Sequence, residues 1–254
     1  MKETVAIAAL AALSIAAPIS GQSPDSRSPN VPRTSDGKVD LSGIWMADPD
    51  PKGKPEGTEY EVKPPFFMDL TRYLDPKDFA MLPEAQKLYN ERVASQGKLS
   101  TEAHCVPVGV PGINTFLFPF KIIQTQPLIV ILYEKDTTYR QIFMDGRNLP
   151  QDPDPRYMGH SIGRWDGDTL AVESIGFIDR GFLDRIGHPY SDKLHLTERI
   201  QRSDFGHLSI EMTIDDPKTY RNPFKYTESY HLLADTDFYE FFCTQNEKDT
   251  IHFK

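Results

Sequence analysis

The chain has 254 residues, with 28 Lys+Arg against 37 Asp+Glu (net charge −9), 39% hydrophobic residues, 21 prolines and two cysteines. That length and apolar content support one sizeable core or two small ones and exclude wholesale disorder. Net acidity argues against a nucleic-acid partner, and two cysteines exclude a disulfide-rich scaffold or a four-thiolate zinc site.

Residues 1–21 read as a secretory signal: Lys2, an apolar run over 5–17, then Pro18 and small residues. The run is too short to span a bilayer comfortably, and no later stretch is long and apolar enough to do so. The expectation is a periplasmic or secreted protein with no membrane span after cleavage, an uncleaved anchor being the alternative. Residues 22–38 are rich in Ser, Pro and Asp and are expected to form a disordered lead-in. That leaves 39–254 as one domain.

Residues 41–46 (LSGIWM) form a strand candidate, and 47–80 look irregular. The stretch 83–94 (PEAQKLYNERVA) predicts the one clear helix, with Pro83 at its opening and Glu84 in its first turn. Two prolines and two glycines in 105–112 (CVPVGVPG) demand a fixed, non-regular path. Beyond it, 120–126, 128–134, 138–145, 158–165, 169–175, 193–202, 207–214, 224–232 and 238–243 are rich in β-branched and aromatic residues and predict strands. Asp166-Gly-Asp168 and 203–206 are hairpin turns. Short links imply antiparallel neighbours, so the economical fold is a mainly β, antiparallel meander of about ten strands closed into a barrel, with one helix. A two-sheet sandwich is the alternative. The Gly43-x-Trp45 pair is similar to the first strand of lipocalin-like barrels.

No GxSxG, Walker, HExxH or dinucleotide-binding glycine pattern is present, which disfavours serine hydrolase, NTPase, zincin and NAD-dependent chemistry. Titratable residues gather instead in Asp145-Gly-Arg147 with His160, and in the stretch from His188 through His195 to Arg199. Alternation along a strand puts His195, Thr197 and Arg199 on one face and Leu194, Leu196, Glu198 and Ile200 on the other. If the first face lines a barrel interior, a histidine acid–base group stands beside Arg199. If the second does, Glu198 is a single carboxylate in an apolar cavity with a raised pKa. A third possibility is an outer polar stripe. The face of Tyr139, Gln141, Phe143 and Asp145 has the amphipathic, aromatic character of a ligand cavity.

The catalytic candidates are therefore His195, His188, Glu198 and Asp145. Arg147, Arg199, Tyr139 and His160 are candidates for holding substrate. No cofactor is expected; a metal held by His160, His188 and His195 is the alternative, although their spacing is not diagnostic. In an oxidising compartment Cys105 and Cys243 are expected to close one disulfide; otherwise they are buried thiols.

The motifs DLSGIW (40–45), CxPxGxP (105–111), MGHSIGxWDGDTL (158–170) and LHxTER (194–199) together resemble a family of secreted bacterial proteins. The resemblance covers nearly all of the mature chain. It implies one folding unit over 39–254 and brings no catalytic residue set. The function expected from the residues is small-molecule acid–base chemistry, of isomerase, lyase, hydratase or hydrolase type, on a largely apolar or aromatic substrate. A hydrophobic-ligand-binding protein without turnover, or an extracytoplasmic interaction module, are the alternatives.

Overall fold

Strand alternation and tight turns carry most of the chain into a closed barrel. The computed structural model describes residues 31–48, 69–74 and 78–244. Its strands are β1 (Gly43–Ala47), β2 (Phe120–Gln124), β3 (Leu128–Tyr133), β4 (Thr138–Phe143), β5 (His160–Asp166), β6 (Thr169–Ile175), β7 (Gly181–Phe182), β8 (Pro189–Tyr190), β9 (His195–Arg202), β10 (His207–Asp215) and β11 (Phe224–Leu232). The helix α1 spans Pro83–Ala94, as its Pro-led sequence predicts. The barrel order is β1-β11-β10-β9-β6-β5-β4-β3-β2, with Trp45 pairing both Leu232 and Phe120 to close it.

The closed, mainly β barrel with one helix is as expected, and three details need correction. The barrel has nine strands, with β7 and β8 forming a separate two-stranded hairpin. It is not wholly antiparallel: β4 and β5 run parallel, joined through Ile142↔Ser161 and Phe143↔Ile162. The Pro-rich stretch 149–155 lengthens that link into a crossover, and a parallel pair requires one. The segment 238–243 forms no strand but runs as irregular chain to Cys243. The described part of the lead-in is ordered: Arg33 and Val39 form an isolated bridge around a turn at Gly37, and Arg33 pairs with Asp168 at 2.8 Å. The proposed signal segment 1–21 and residues 22–30 lie outside the described residues. Among the described residues, no helix is long and apolar enough to cross a membrane.

One end of the barrel is closed by Trp45, which is fully buried and donates from Nε1 to the Leu41 carbonyl at 3.0 Å. The Arg202 guanidinium lies 5.0 Å from the Trp45 ring and donates to the Asp40 carbonyl at 2.6 Å, tying the incoming chain to the end of β9. At the opposite end, near the start of β11, Phe79 packs edge-on against Phe224 and beside Tyr220. Tyr220 in turn donates to the Pro189 carbonyl at 2.8 Å and so ties β8 to this end. The 105–112 loop follows the irregular path its composition demands, with a cis Val110–Pro111 bond and Gly109 at φ +77. A Cβ on Gly109 would lie 2.2 Å from the Tyr157 carbonyl oxygen, so no larger residue fits there. Cys105 and Cys243 are joined in a disulfide.

Candidate functional site

The buried positions of β9 are Leu196, Glu198, Ile200 and Arg202, while His195, Thr197 and Arg199 face outward. The Glu198 face is therefore the interior one. Glu198 is not alone there. Arg140 of β4 reaches it with Nη1 donating to Oε1 at 2.9 Å and Nη2 donating to Oε2. Both side chains are 1% exposed. Arg140 also donates from Nε to Ser161 Oγ at 3.1 Å and from Nη2 to Ser174 Oγ at 2.9 Å, and Ser174 donates to Ser161 at 2.8 Å. Burial pushes the Arg140 guanidinium down, but Glu198 and Tyr133 outweigh it and the net shift is upward. The pair is locked in place, with its charges satisfied by each other and by two hydroxyls.

The titratable group that stands apart in this interior is Glu228. On β11 the buried positions are Phe224, Tyr226, Glu228 and Tyr230. The register sets Glu228 in a row with Ile210 of β10, Ile200 of β9 and Leu170 of β6, all apolar and buried. Tyr230 donates its hydroxyl to Glu228 Oε2, while Oε1 has no hydrogen bond among the described residues. Burial pushes the carboxyl up to about 7; the Tyr230 hydroxyl pulls it down and Glu198 adds to the rise. The signal was present in the sequence, since 224–230 carries three aromatic residues and one carboxylate at alternate positions.

This shift has a stability consequence. The folded protein holds the Glu228 proton more tightly than the unfolded chain, so the stabilisation is full below about pH 4.5 and is lost as pH rises through about 7. Glu228→Gln removes that dependence. Between pH 4 and pH 8.5, the variant should gain about 3 kcal/mol relative to wild type. Urea unfolding at both pH values checks this; a constant difference between the two proteins would contradict it.

The other sequence candidates are spread over the outside. His195 is 42% exposed, 3.8 Å from Glu173, and lines an open groove of about 510 Å³ with Asp152, Asp154 and Asp192. His160, with Nε2 2.9 Å from the Asp154 carbonyl, shares a second groove of about 230 Å³ with Arg147 and Phe143. Asp145 forms an exposed ion pair with Arg147, which holds its carboxyl below the usual range. Arg199 pairs with Asp166 at 3.0 Å on the outer face. Tyr139 is 60% exposed, so the Tyr139 face of β4 is the outer one and Arg140 with Ile142 occupies the interior. The reason is register: Arg140 has to face inward to meet Glu198.

His188 is buried in the β7–β8 hairpin and lies apart from both grooves. Its Nδ1 is 2.6 Å from Asp184 Oδ2. His160, His188 and His195 therefore do not form one metal centre. Among the described residues, the group with metal-holding geometry is Asp69, Asp184 and His188.

No protein-family model matches the chain, and neither the curated proteins nor the solved structures yield a match.

Proposed function

We propose that the protein is an exported small-molecule enzyme that performs cofactor-independent acid–base chemistry inside the barrel, with Glu228 carrying the proton. The observation behind this is a fully buried carboxyl with one oxygen committed to Tyr230 and the other uncommitted. An acid–base group works best with a pKa near the operating pH, and burial brings Glu228 there. Phe120, Tyr133 and Tyr230 pack ring against ring in this interior, at 5.9 and 5.1 Å, which suits a largely apolar or aromatic substrate. The reaction class is isomerisation, elimination, hydration or hydrolysis. Arg140 and Glu198 act as positioning residues, because their polar atoms are spent on each other and on Ser161 and Ser174. The disulfide supports export, since such bridges persist in oxidising compartments.

The test is a compound screen by thermal shift and turnover, followed by Glu228→Gln on any hit. Turnover should fall by about 10²- to 10⁴-fold while the fold is kept. Unchanged turnover would reject Glu228 as the catalytic group. A hit that binds in the interior without being converted would support the second reading, a hydrophobic-ligand carrier, which the same aromatic lining favours.

A further inference from the structure

A second cluster lies outside the barrel interior, where the β7–β8 hairpin meets the turn at 70–73. Asp184 is fully buried and its position is set by backbone. Oδ1 accepts from the N–H groups of Gly187 (3.1 Å) and His188 (3.0 Å), and Oδ2 accepts from the N–H of Leu70 at 3.0 Å. The His188 ring is fixed from two sides. Tyr89 of α1 stacks on it at 4.5 Å with 7° between planes, and Phe79 meets it edge-on at 4.9 Å. Asp69 is held at the start of its turn, with Oδ1 accepting from the Thr71 N–H at 2.9 Å and the Thr71 hydroxyl at 2.6 Å. One donor atom from each of Asp69, Asp184 and His188 lies within 4.8 Å of the other two.

Two carboxylates this close, one of them wholly buried, favour a cation beside them. Arg92 of α1 approaches the hairpin but donates to the carbonyls of Arg180, Gly181 (3.0 Å) and Gly187 (3.1 Å) and stacks on Phe182 at 3.6 Å. It therefore braces the hairpin backbone and does not pair with either carboxylate through a hydrogen bond. The Arg92 charge therefore acts on Asp184 only from a distance, and a cation held between the three side chains would add to it directly.

We propose that Asp69, Asp184 and His188 form a binding site for a zinc-type divalent ion that cross-links the 70–73 turn to the β7–β8 hairpin. An imidazole nitrogen with two carboxylate oxygens suits a first-row transition ion and disfavours the all-oxygen ions calcium and magnesium. Tetrahedral ligands at roughly 2.0–2.2 Å from zinc lie about 3.3–3.6 Å apart, so donors that stand within 4.8 Å of one another close by up to about 1.5 Å on binding. Two carboxylates neutralise a divalent ion, and the Asp184–His188 hydrogen bond gives way to shared coordination. The site is separate from Glu228 and does not depend on the reaction proposed there.

Asp69→Asn is the discriminating variant. Asparagine caps a helical turn as well as aspartate does, so the Thr71 contacts are retained while the anionic ligand is lost. The protein, prepared without a histidine tag and stripped with chelator, is titrated with Zn²⁺, Mn²⁺ and Ca²⁺ by calorimetry and thermal shift. The expected result is one Zn²⁺ per chain, a melting temperature that rises with Zn²⁺, no comparable response to Ca²⁺, and at least tenfold weaker Zn²⁺ binding in Asp69→Asn. Absence of stoichiometric Zn²⁺ binding, or equal binding by the variant, overturns the proposal. Asp69→Ala, which loses both the charge and the cap, should lower the metal-free melting temperature more than Asp69→Asn; equal metal-free melting of wild type and Asp69→Asn separates a metal effect from a folding defect.

Discussion

Replacing Arg140 with methionine should destabilise the protein by about 3–5 kcal/mol, because it leaves Glu198 charged and unpaired in the barrel interior. The two side chains are each 1% exposed, so water cannot take over the role of the guanidinium without opening the barrel. Ser161 and Ser174 cannot replace it either; they hydrogen-bond to each other and carry no charge. The companion variant Arg140→Met with Glu198→Leu removes both charges and keeps apolar volume, so most of the lost stability should return. Urea unfolding of both single variants and the double variant closes the cycle. Strict additivity of the single changes would show that the pair is not coupled, contrary to the 2.9 Å contact and its buried setting.

Loss of the disulfide should have an effect of similar size. Cys105 and Cys243 are 138 residues apart, and closing a loop that long restricts the unfolded chain by about 4–5 kcal/mol in the chain-entropy description. The bridge also holds down a segment with few contacts of its own. The Tyr239 N–H donates to Glu134 Oε1 at 2.7 Å, Phe241 exchanges two 3.0 Å bonds with Thr137, and its ring lies 5.0 Å from Phe118. Lys135 is buried beneath, 5.4 Å from the Phe241 ring and 2.6 Å from Asp136. In the double variant Cys105→Ser/Cys243→Ser, the urea midpoint should drop markedly, and proteolysis should cut first within 233–244. A midpoint equal to that of the oxidised wild type would mean that the tail is held by its noncovalent contacts alone.

Local patterns made much of the barrel legible. Pro83 and Glu84 marked the start of α1, Asp166-Gly-Asp168 marked the β5–β6 turn, and alternation marked β9, β10 and β11. The parallel β4–β5 pair was hidden because a strand's residue pattern does not encode the direction of its neighbour. The stretch 238–243 is aromatic enough to suggest a strand, yet β1 already occupies the edges of β11 and β2 and closes the sheet. No edge was left for it to join.

The site was harder to read for the same physical reason. Period-two alternation divides β9 into a His195 face and a Glu198 face, and the sequence by itself determines that division. Which face is interior depends on long-range register, and only the tertiary structure decided it, by placing Arg140 opposite Glu198. Composition and the spacing of Cys105 and Cys243 likewise allowed a bridge, but folding alone brought the two Cα atoms to 5.4 Å. Charge and burial then separate two carboxylates that look alike in the chain: Glu198 is neutralised across the barrel, and Glu228, among apolar neighbours with a single hydroxyl donor, is the one whose proton is held near neutral pH.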